Sequence, residues 1–320
     1  MSTVPIISAL ICTRNRSHLL EKCVNSLINQ SLDGKKYEII VVDNDSTDDT
    51  QNVLSKYERE HQLHAIIEPE IGLSKARNTG WKYSKTQYIG FIDDDAIASN
   101  IWLESALYCF KKATPQPAGL AGPIYLNWEV NSPPWINEDL KTTLGKVYWG
   151  DKPFRLTTSH NIIGANCFFS KQQLESCNGF DERFGRKGKL LLSGEEIQLQ
   201  RRIEAKGGYF YYHSDISIWH HVPVERVKPS WFYRRYYWGG ITDFFMNKSL
   251  EDFKRNSPLS SKPFSEIENR LNQVKRFSKN TLWSFGFGPS PNEKIWGRIY
   301  LSYCFGYLMG AAKYWQRHRQ

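Results

Sequence analysis

Three carboxylates stand side by side at Asp93, Asp94 and Asp95, directly after the apolar run Gln87–Ile92. Neighbouring negative charges repel and raise one another's pKa, so such a run calls for a cation. A divalent ion with hard oxygen ligands, holding a diphosphate, suits it. The plainer alternative is a solvated strand-to-helix turn, with an Asp capping a helix that begins near Ser99. A second acidic pair, Glu195-Glu196, follows Gly194 at the start of a helical pattern. Held there, Glu196 suits a general base that takes a proton from a hydroxyl. It equally suits a capping box, Ser193-x-x-Glu196, in which it only returns a hydrogen bond to the backbone. His220 and His221 adjoin one another on an extended run, so their side chains point to opposite faces and at most one can share a site with the Asp triplet. A strand histidine serves as readily in a structural role as in a metal shell.

Such groups need a scaffold that converges them, and the first 115 residues provide its pattern. Ile6–Cys12 is an unbroken apolar run ending at the polar turn Thr13-Arg14-Asn15-Arg16, and Leu19, Leu20, Cys23, Val24, Leu27 and Ile28 follow at helical spacing. Tyr37–Val42 leads to Asp43-Asn44-Asp45-Ser46, with a capping-box spacing over Ser46–Asp49 ahead of a helix. His64–Ile67 leads to the turn Gly72-Leu73-Ser74 and a short helix, and Gln87–Ile92 leads to the Asp triplet and a helix through Trp102, Leu103 and Phe110. Strands alternating with helices of this length predict βαβ units and a mostly parallel sheet. Polar side chains collect where each strand ends, which is where open α/β sheets bind ligands.

Beyond Thr114 the proline-rich stretch to Asp151 reads mostly as loops. Asn161–Phe169 reads as a strand, Gly179–Glu182 as a turn, Ser193–Lys206 as a helix closed by Gly207-Gly208, and Tyr209–His213 and Ile216–Trp219 as strands. From about residue 226 the chain is basic, aromatic and helical in pattern, with Lys248–Glu266 a polar connector.

Composition narrows the function classes. With 40% hydrophobic and 23% charged residues the chain is globular rather than disordered, fibrous or coiled coil. Its six cysteines form no C-x-x-C pair, and Met-Ser-Thr-Val-Pro lacks the layout of a signal peptide, so a reduced, cytoplasmic setting is expected. No G-x-x-x-x-G-K-[ST], G-x-S-x-G or H-E-x-x-H occurs, and Gly286-Phe287-Gly288 lacks the third glycine and the strand of a dinucleotide fingerprint.

The ordered set Ile11–Arg16, Val41–Asp48, Gly72–Asn78 and Phe91–Asp95 resembles family 2 glycosyltransferases with the GT-A fold, over roughly residues 5–240. Gly194–Leu199 is similar to that family's Gly-Glu-Asp segment, and His220–Arg226 to its late His-containing stretch. The resemblance implies a Rossmann-like, mostly parallel sheet flanked by helices, with a C-terminal helical, basic, aromatic extension. A nucleotide-sugar half is expected over residues 1–115, an acceptor half over 116–226 and the extension over 227–320. Thr13, Arg14, Arg16 and Arg77 would line the nucleotide cleft, and Asp43 and Asp45 would read the base. Asp93 and Asp94 would lie near the ribose and diphosphate, and Asp95, Asp93 and His220 would hold Mg²⁺ or Mn²⁺, His221 being the alternative. Glu196, where the family has Asp, would be the catalytic base with Glu195 beside it. The implied reaction is inverting transfer from a nucleotide-diphosphate sugar, UDP-sugars by family preference, to a saccharide or lipid-linked hydroxyl in surface polysaccharide assembly. The competing enzyme class, a sugar-phosphate nucleotidyltransferase, would want a Gly-rich phosphate loop where Thr13-Arg14-Asn15-Arg16 stands.

Charge is distributed unevenly. Residues 1–200 carry 22 Lys/Arg against 24 Asp/Glu, and residues 201–320 carry 20 against 9, with 26 of the 45 aromatics. Trp231–Gly240 interleaves arginines with aromatics, which suits single-stranded nucleic acid in composition. No RNA-binding signature accompanies it, so a helix packed on the protein near a diphosphate or lipid phosphate is expected, and nucleic acid is not. Ile295–Ala312 has Arg298 as its only charge. Three glycines and several polar-tipped aromatics disfavour a span and favour a helix on a membrane surface or against the core, placing the protein in the cytoplasm or peripherally on the membrane's cytoplasmic face.

Overall fold

A computed structural model describes residues 4–60, 63–255 and 290–317. Gly286–Gly288 and residues 256–266 of the expected connector lie outside them. The chain opens with Ile7–Thr13 (β1), Ser17–Ile28 (α1), Tyr37–Asp43 (β2), Thr50–Glu60 (α2), Leu63–Ile67 (β3), Leu73–Tyr83 (α3) and Tyr88–Asp93 (β4). Ala96–Ala98 (β5), Trp102–Lys112 (α4), Gly119–Ala121 (β6), Ile124–Trp128 (β7), Glu138–Thr143 (α5), Phe154–Arg155 (β8), Asn166–Ser170 (β9) and Lys171–Ser176 (α6) follow. Glu195–Ala205 (α7), Phe210–Tyr212 (β10), Ile218–Val222 (β11), Pro229–Arg255 (α8) and Pro291–Arg317 (α9) complete the described elements.

The larger sheet has eight strands in the order β3-β2-β1-β4-β9-β6-β10-β8, and β5-β11-β7 form a smaller one. Strand β1 pairs in parallel with β2 on one side and β4 on the other. The order therefore reverses beside β1, and the crevice at the strand ends opens between Thr13 and Asp93. The apolar runs of β1, β2 and β4 are buried on both faces by helices, as strands of a covered parallel sheet must be. Helix α3 lies so close that a Cβ on Gly80 would meet Leu10 Cδ1 at 2.5 Å. Only glycine permits that approach, and it brings α3, with Arg77 on it, down onto the strand ends. This is the α/β GT-A type architecture that the sequence led one to expect.

Several local expectations are corrected. Residues 114–151 are not mostly loops: β6, β7 and α5 lie there, the two strands held by pairing with β9, β10 and β11 rather than by their own periodicity. The strand expected at Asn161–Phe169 begins only at Asn166, because α7 captures the preceding segment: Gln200 Oε1 accepts from Ile162 N at 3.0 Å and Glu196 Oε1 from Gly164 N at 3.3 Å. Strand β9 runs antiparallel to β4 and β6, so the sheet is mixed at its centre. No Asp caps a helix near Ser99. The chain continues from the triplet into β5, and α4 starts at Trp102, whose N–H donates to Ser99 O at 3.1 Å. Before α2 the capping carboxylate is Asp48, which accepts from Thr50 N at 3.1 Å. Strand β11 lies over Ile218–Val222 rather than Ile216–Trp219, and Lys248–Arg255 is helical rather than a connector.

The described residues separate into two compact units: those within Met1–Glu129, Glu138–Gly188 and Glu195–Val222 in one, those within Val130–Asn137, Lys189–Gly194 and Pro223–Gln320 in the other. Within the second, α8 and α9 pack along a glycine face. A Cβ on Gly306 would meet Tyr237 O at 1.9 Å, and one on Gly240 would meet Tyr303 O at 2.2 Å. Tyr303 Oη donates to Asp243 Oδ2 at 2.7 Å across the pair. Among the described residues no helix is long and apolar enough to cross a membrane.

Candidate active site

The site is built from the ends of β1 and β4, which lie side by side with Cys12 opposite Asp93. Asp94 and Asp95 turn inward and are buried. Thr13 Oγ1 donates to Asp94 Oδ2 at 2.8 Å, and Arg16 Nη1 donates to Asp94 Oδ1 at 2.8 Å and Asp95 Oδ2 at 3.0 Å. Burial pushes the Asp94 carboxyl up to about 6 against the pull of Arg16, with Asp95 adding to the rise. The two carboxylates hold the Arg16 guanidinium more firmly protonated than usual, Asp94 foremost. Thr13 and Arg16 thus brace the triplet.

The next ligand comes from a different sheet. Strand β11 pairs with β5 so that His220 faces Ala96, and the His221 amide donates to Asp95 O at 2.8 Å. This carries His220 Nε2 to 3.1 Å from Asp95 Oδ1, while His221 Nε2 turns to Glu129 Oε2 at 3.6 Å. One ligand atom each from Asp93, Asp95 and His220 lies within 4.8 Å of the others. Nδ1 of His220 is buried without a hydrogen-bond partner among the described residues, and Gly145, at φ +99°, covers the ring. Two hard carboxylate oxygens and an imidazole in a buried corner fit Mn²⁺ or Mg²⁺.

Arg77 ties this cluster to the second acidic pair. Its Nη1 donates to Glu195 Oε1 at 2.6 Å and its Nη2 to Asp93 Oδ1 at 3.3 Å, with the whole side chain buried. Although burial opposes its charge, Glu195 and Asp93 keep the guanidinium protonated. A Cβ on Gly164 would lie 2.5 Å from Arg77 Nη2, so that glycine backbone sits directly against the guanidinium. Glu195 is therefore a partner of Arg77 rather than a free base. Glu196, next along the first turn of α7, does not close a capping box. Its Oε1 accepts from Gly164 N, while its buried Oε2 has no partner among the described residues. Burial raises its carboxyl to about 7, with Glu195 adding and Arg77 opposing.

The remaining expected nucleotide residues cluster at the ends of β1 and β2. Asp43 is buried, accepting from Ser46 N at 3.0 Å and from Gln51 Nε2. Asp45 sits at φ +62° with an exposed side chain 3.9 Å from Arg14 Nη2. Arg77, expected to line the cleft, lies buried between the part-exposed Asp93 and Glu195, whose buried carboxylate needs a counter-charge that water cannot supply there.

Residues 8–170 match the family described as Glycosyl transferase family 2. The chain belongs to that family. Relatives of this family 2 chain include Glycosyltransferase AglE of Haloferax volcanii, 35% identical over 105 residues, which are 32% of this chain and 34% of AglE. The glucosyl-dolichyl phosphate glucuronosyltransferase of the same organism is 23% identical over 276 residues, 84% of this chain and 86% of that one. Of AglE and of two further glycosyltransferases that it matches, by contrast, the chain spans about a third of the length or less. Among solved structures, the mannosyltransferase PcManGT of Pyrobaculum calidifontis, in complex with GDP-Man and Mn²⁺, superposes with a TM-score of 0.65 at 16% identity, covering 96% of this chain and 87% of that one. The last likeness shows the fold.

In this family 2 chain, sequence reasoning missed the strut Arg77–Glu195 and the Gly164 backbone over it. The partners are 118 positions apart, and neither carries a spacing that announces the pairing. The signal available is Glu195 itself, a second carboxylate beside Glu196 with no cation near it in the sequence.

Proposed function

We propose that the chain is a metal-dependent, inverting glycosyltransferase, moving a sugar from a nucleotide-diphosphate donor to a hydroxyl of a saccharide or lipid-linked acceptor. The observation that carries the reading is the Glu196 carboxylate. It is buried, raised to about 7 and left with one unpartnered oxygen, and it adjoins a strut whose far end reaches Asp93. The nucleoside lies toward Thr13, Arg14, Arg16, Asp43 and Asp45, and the diphosphate toward Asp93 and Asp94. Asp93, Asp95 and His220 would hold Mn²⁺ or Mg²⁺, which when bound offsets negative charge on the departing diphosphate.

Glu196 takes the proton of the acceptor hydroxyl as its oxygen bonds to the anomeric carbon. The bond from that carbon to the diphosphate oxygen breaks, and its electron pair leaves with the nucleoside diphosphate. A carboxylate near pKa 7 is well matched to this at neutral pH. Attack from the face opposite the leaving group inverts the anomeric configuration, and no second carboxylate is needed as nucleophile. The glucuronosyltransferase relative acts, by its name, on a dolichyl-phosphate-linked sugar, which supports a lipid-linked or polysaccharide acceptor at the cytoplasmic face of a membrane. UDP-sugars are the preferred donors in this reading.

The test is transfer from UDP-glucose, UDP-N-acetylglucosamine and GDP-mannose to extracted membrane glycolipids with Mn²⁺, with NMR of the product linkage. A β-linked product from an α-linked donor, lost with EDTA, supports the reading; a retained configuration contradicts the mechanism.

A further inference from the structure

Helix α9 hides one side against α8 and shows an apolar stripe on the other. The hidden side is Ile299, Tyr303, Gly306 and Gly310, with Gly306 on the Tyr237 backbone and Gly310 on Ile241 and Phe244. Opposite them, Lys294, Arg298, Leu301, Phe305, Leu308 and Ala312 recur at three- and four-residue spacing and share a single face. Phe305 is 59% and Leu308 66% exposed. Lys313 flanks the far end, its ammonium 5.8 Å above the Trp238 ring, and Glu293 is the only acidic residue of the helix. A helix on the surface of a globular unit ordinarily turns charge outward. This one turns apolar residues both ways and keeps its outward charges basic.

We propose that this stripe is the surface by which the chain lies on an anionic lipid bilayer, Phe305 and Leu308 entering the acyl boundary and Lys294, Arg298 and Lys313 meeting lipid phosphates. Charge complementarity favours that occupant over another protein surface: α9 carries Lys294, Arg298, Lys313 and Arg317 against the single acidic Glu293. An apolar face with basic residues around it and aromatics beside it binds in the plane of an anionic interface. The helix falls short of the apolar length of a span, which agrees with lying in the interface rather than across it. The inference deepens the membrane-face part of the proposed function and is independent of its chemistry.

The experiment is flotation of the full chain with vesicles of phosphatidylcholine alone and of phosphatidylcholine with phosphatidylglycerol. The wild type should float with the anionic vesicles and be released by salt. Phe305→Asp with Leu308→Asp should lower binding at least about tenfold, as a charge in the acyl boundary requires. Arg298→Glu with Lys313→Glu should lower it by roughly fivefold for each charge removed. Wild type remaining unbound on both vesicles, or either double variant floating as well as wild type, overturns the proposal. So does a dimer, seen by sedimentation velocity without lipid, that the Phe305/Leu308 variant converts to monomer, because the stripe would then join two copies. Asp95→Asn should float like wild type, and both surface variants should keep the thermal response to nucleotide with Mn²⁺. Loss of the nucleotide response alone would contradict the enzymatic reading and leave the membrane surface standing.

Discussion

The strand-end site and the C-terminal helix pair treat charge in opposite ways. At the site, Asp93, Asp94, Asp95, Glu195 and Glu196 crowd together, and Arg16 and Arg77 are drawn in among them from β1–α1 and α3. On α9 the exposed Arg298 lies at one end of an apolar stripe, and the exposed Lys313 beyond its other end sets its ammonium over the Trp238 ring. A charge kept from water has to be matched within the fold, whereas one left in water is free to meet a partner. The first arrangement raises the carboxyl pKa values of Asp94 and Glu196. The second leaves the helix surface cheap to alter and suited to binding.

Predictions follow the same contrast, the largest effect first. Arg77→Met strips the counter-charge from Glu195 and Asp93 and should cost about 3–5 kcal/mol of stability, read by chemical denaturation. Pairing it with Glu195→Met should recover much of that loss; if the single variant unfolds like wild type, the strut is not what holds these groups. Glu196→Gln should lower turnover about a thousandfold while leaving nucleotide binding and fold intact, since it removes only the proton acceptor.

The same carboxylate governs pH dependence. Because the folded-state pKa of Glu196, about 7, exceeds its ordinary 4.5, the native protein holds a proton that the unfolded chain has lost between those pH values. Stability should therefore fall as pH rises through that window. Glu196→Gln should flatten this fall and be more stable than wild type at pH 8 by about 1–3 kcal/mol. Catalysis runs the other way, rising with pH up to about 7 as the base becomes available; an activity that falls across that range would remove Glu196 from the role. Gly164→Ala should cost about 1–3 kcal/mol, because the added methyl meets the Arg77 guanidinium at 2.5 Å. Arg298→Glu, on the exposed side of α9, should change the free energy of unfolding by no more than about 0.5 kcal/mol. A large loss there would show that the two regions are not as different as described.

The legible parts of the molecule were those with local causes. The βα units around β1, β2, β3 and β4 follow from apolar runs broken by polar turns, and the Asp triplet and Glu195-Glu196 announce themselves by like charges placed together. What escaped depends on distant pairing. Strands β5, β6 and β7 have three, three and five residues and exist because β9, β10 and β11 lie beside them. The antiparallel turn of β9 and its late start come from Gln200 and Glu196 capturing the segment before it. Arg77 was assigned to the cleft because its sequence neighbours resemble a nucleotide-binding segment; two carboxylates far along the chain decide where the guanidinium goes. Strand alternation says only that His220 and His221 face opposite ways, the resemblance picks His220 with His221 as the alternative, and the amide of His221 on Asp95 O supplies the register that selects His220.

The most direct test of the central claim, a divalent-ion and nucleotide-diphosphate site at Asp93, Asp95 and His220, is thermal unfolding of wild type and Asp95→Asn with UDP, GDP, dTDP or CMP, each with and without Mn²⁺. A ligand at about a hundredfold excess over its dissociation constant adds about 2.7 kcal/mol. The account predicts stabilisation of the wild type by one nucleoside diphosphate only when Mn²⁺ is present, and its loss in Asp95→Asn. Stabilisation that persists in Asp95→Asn, or that needs no metal, would contradict it.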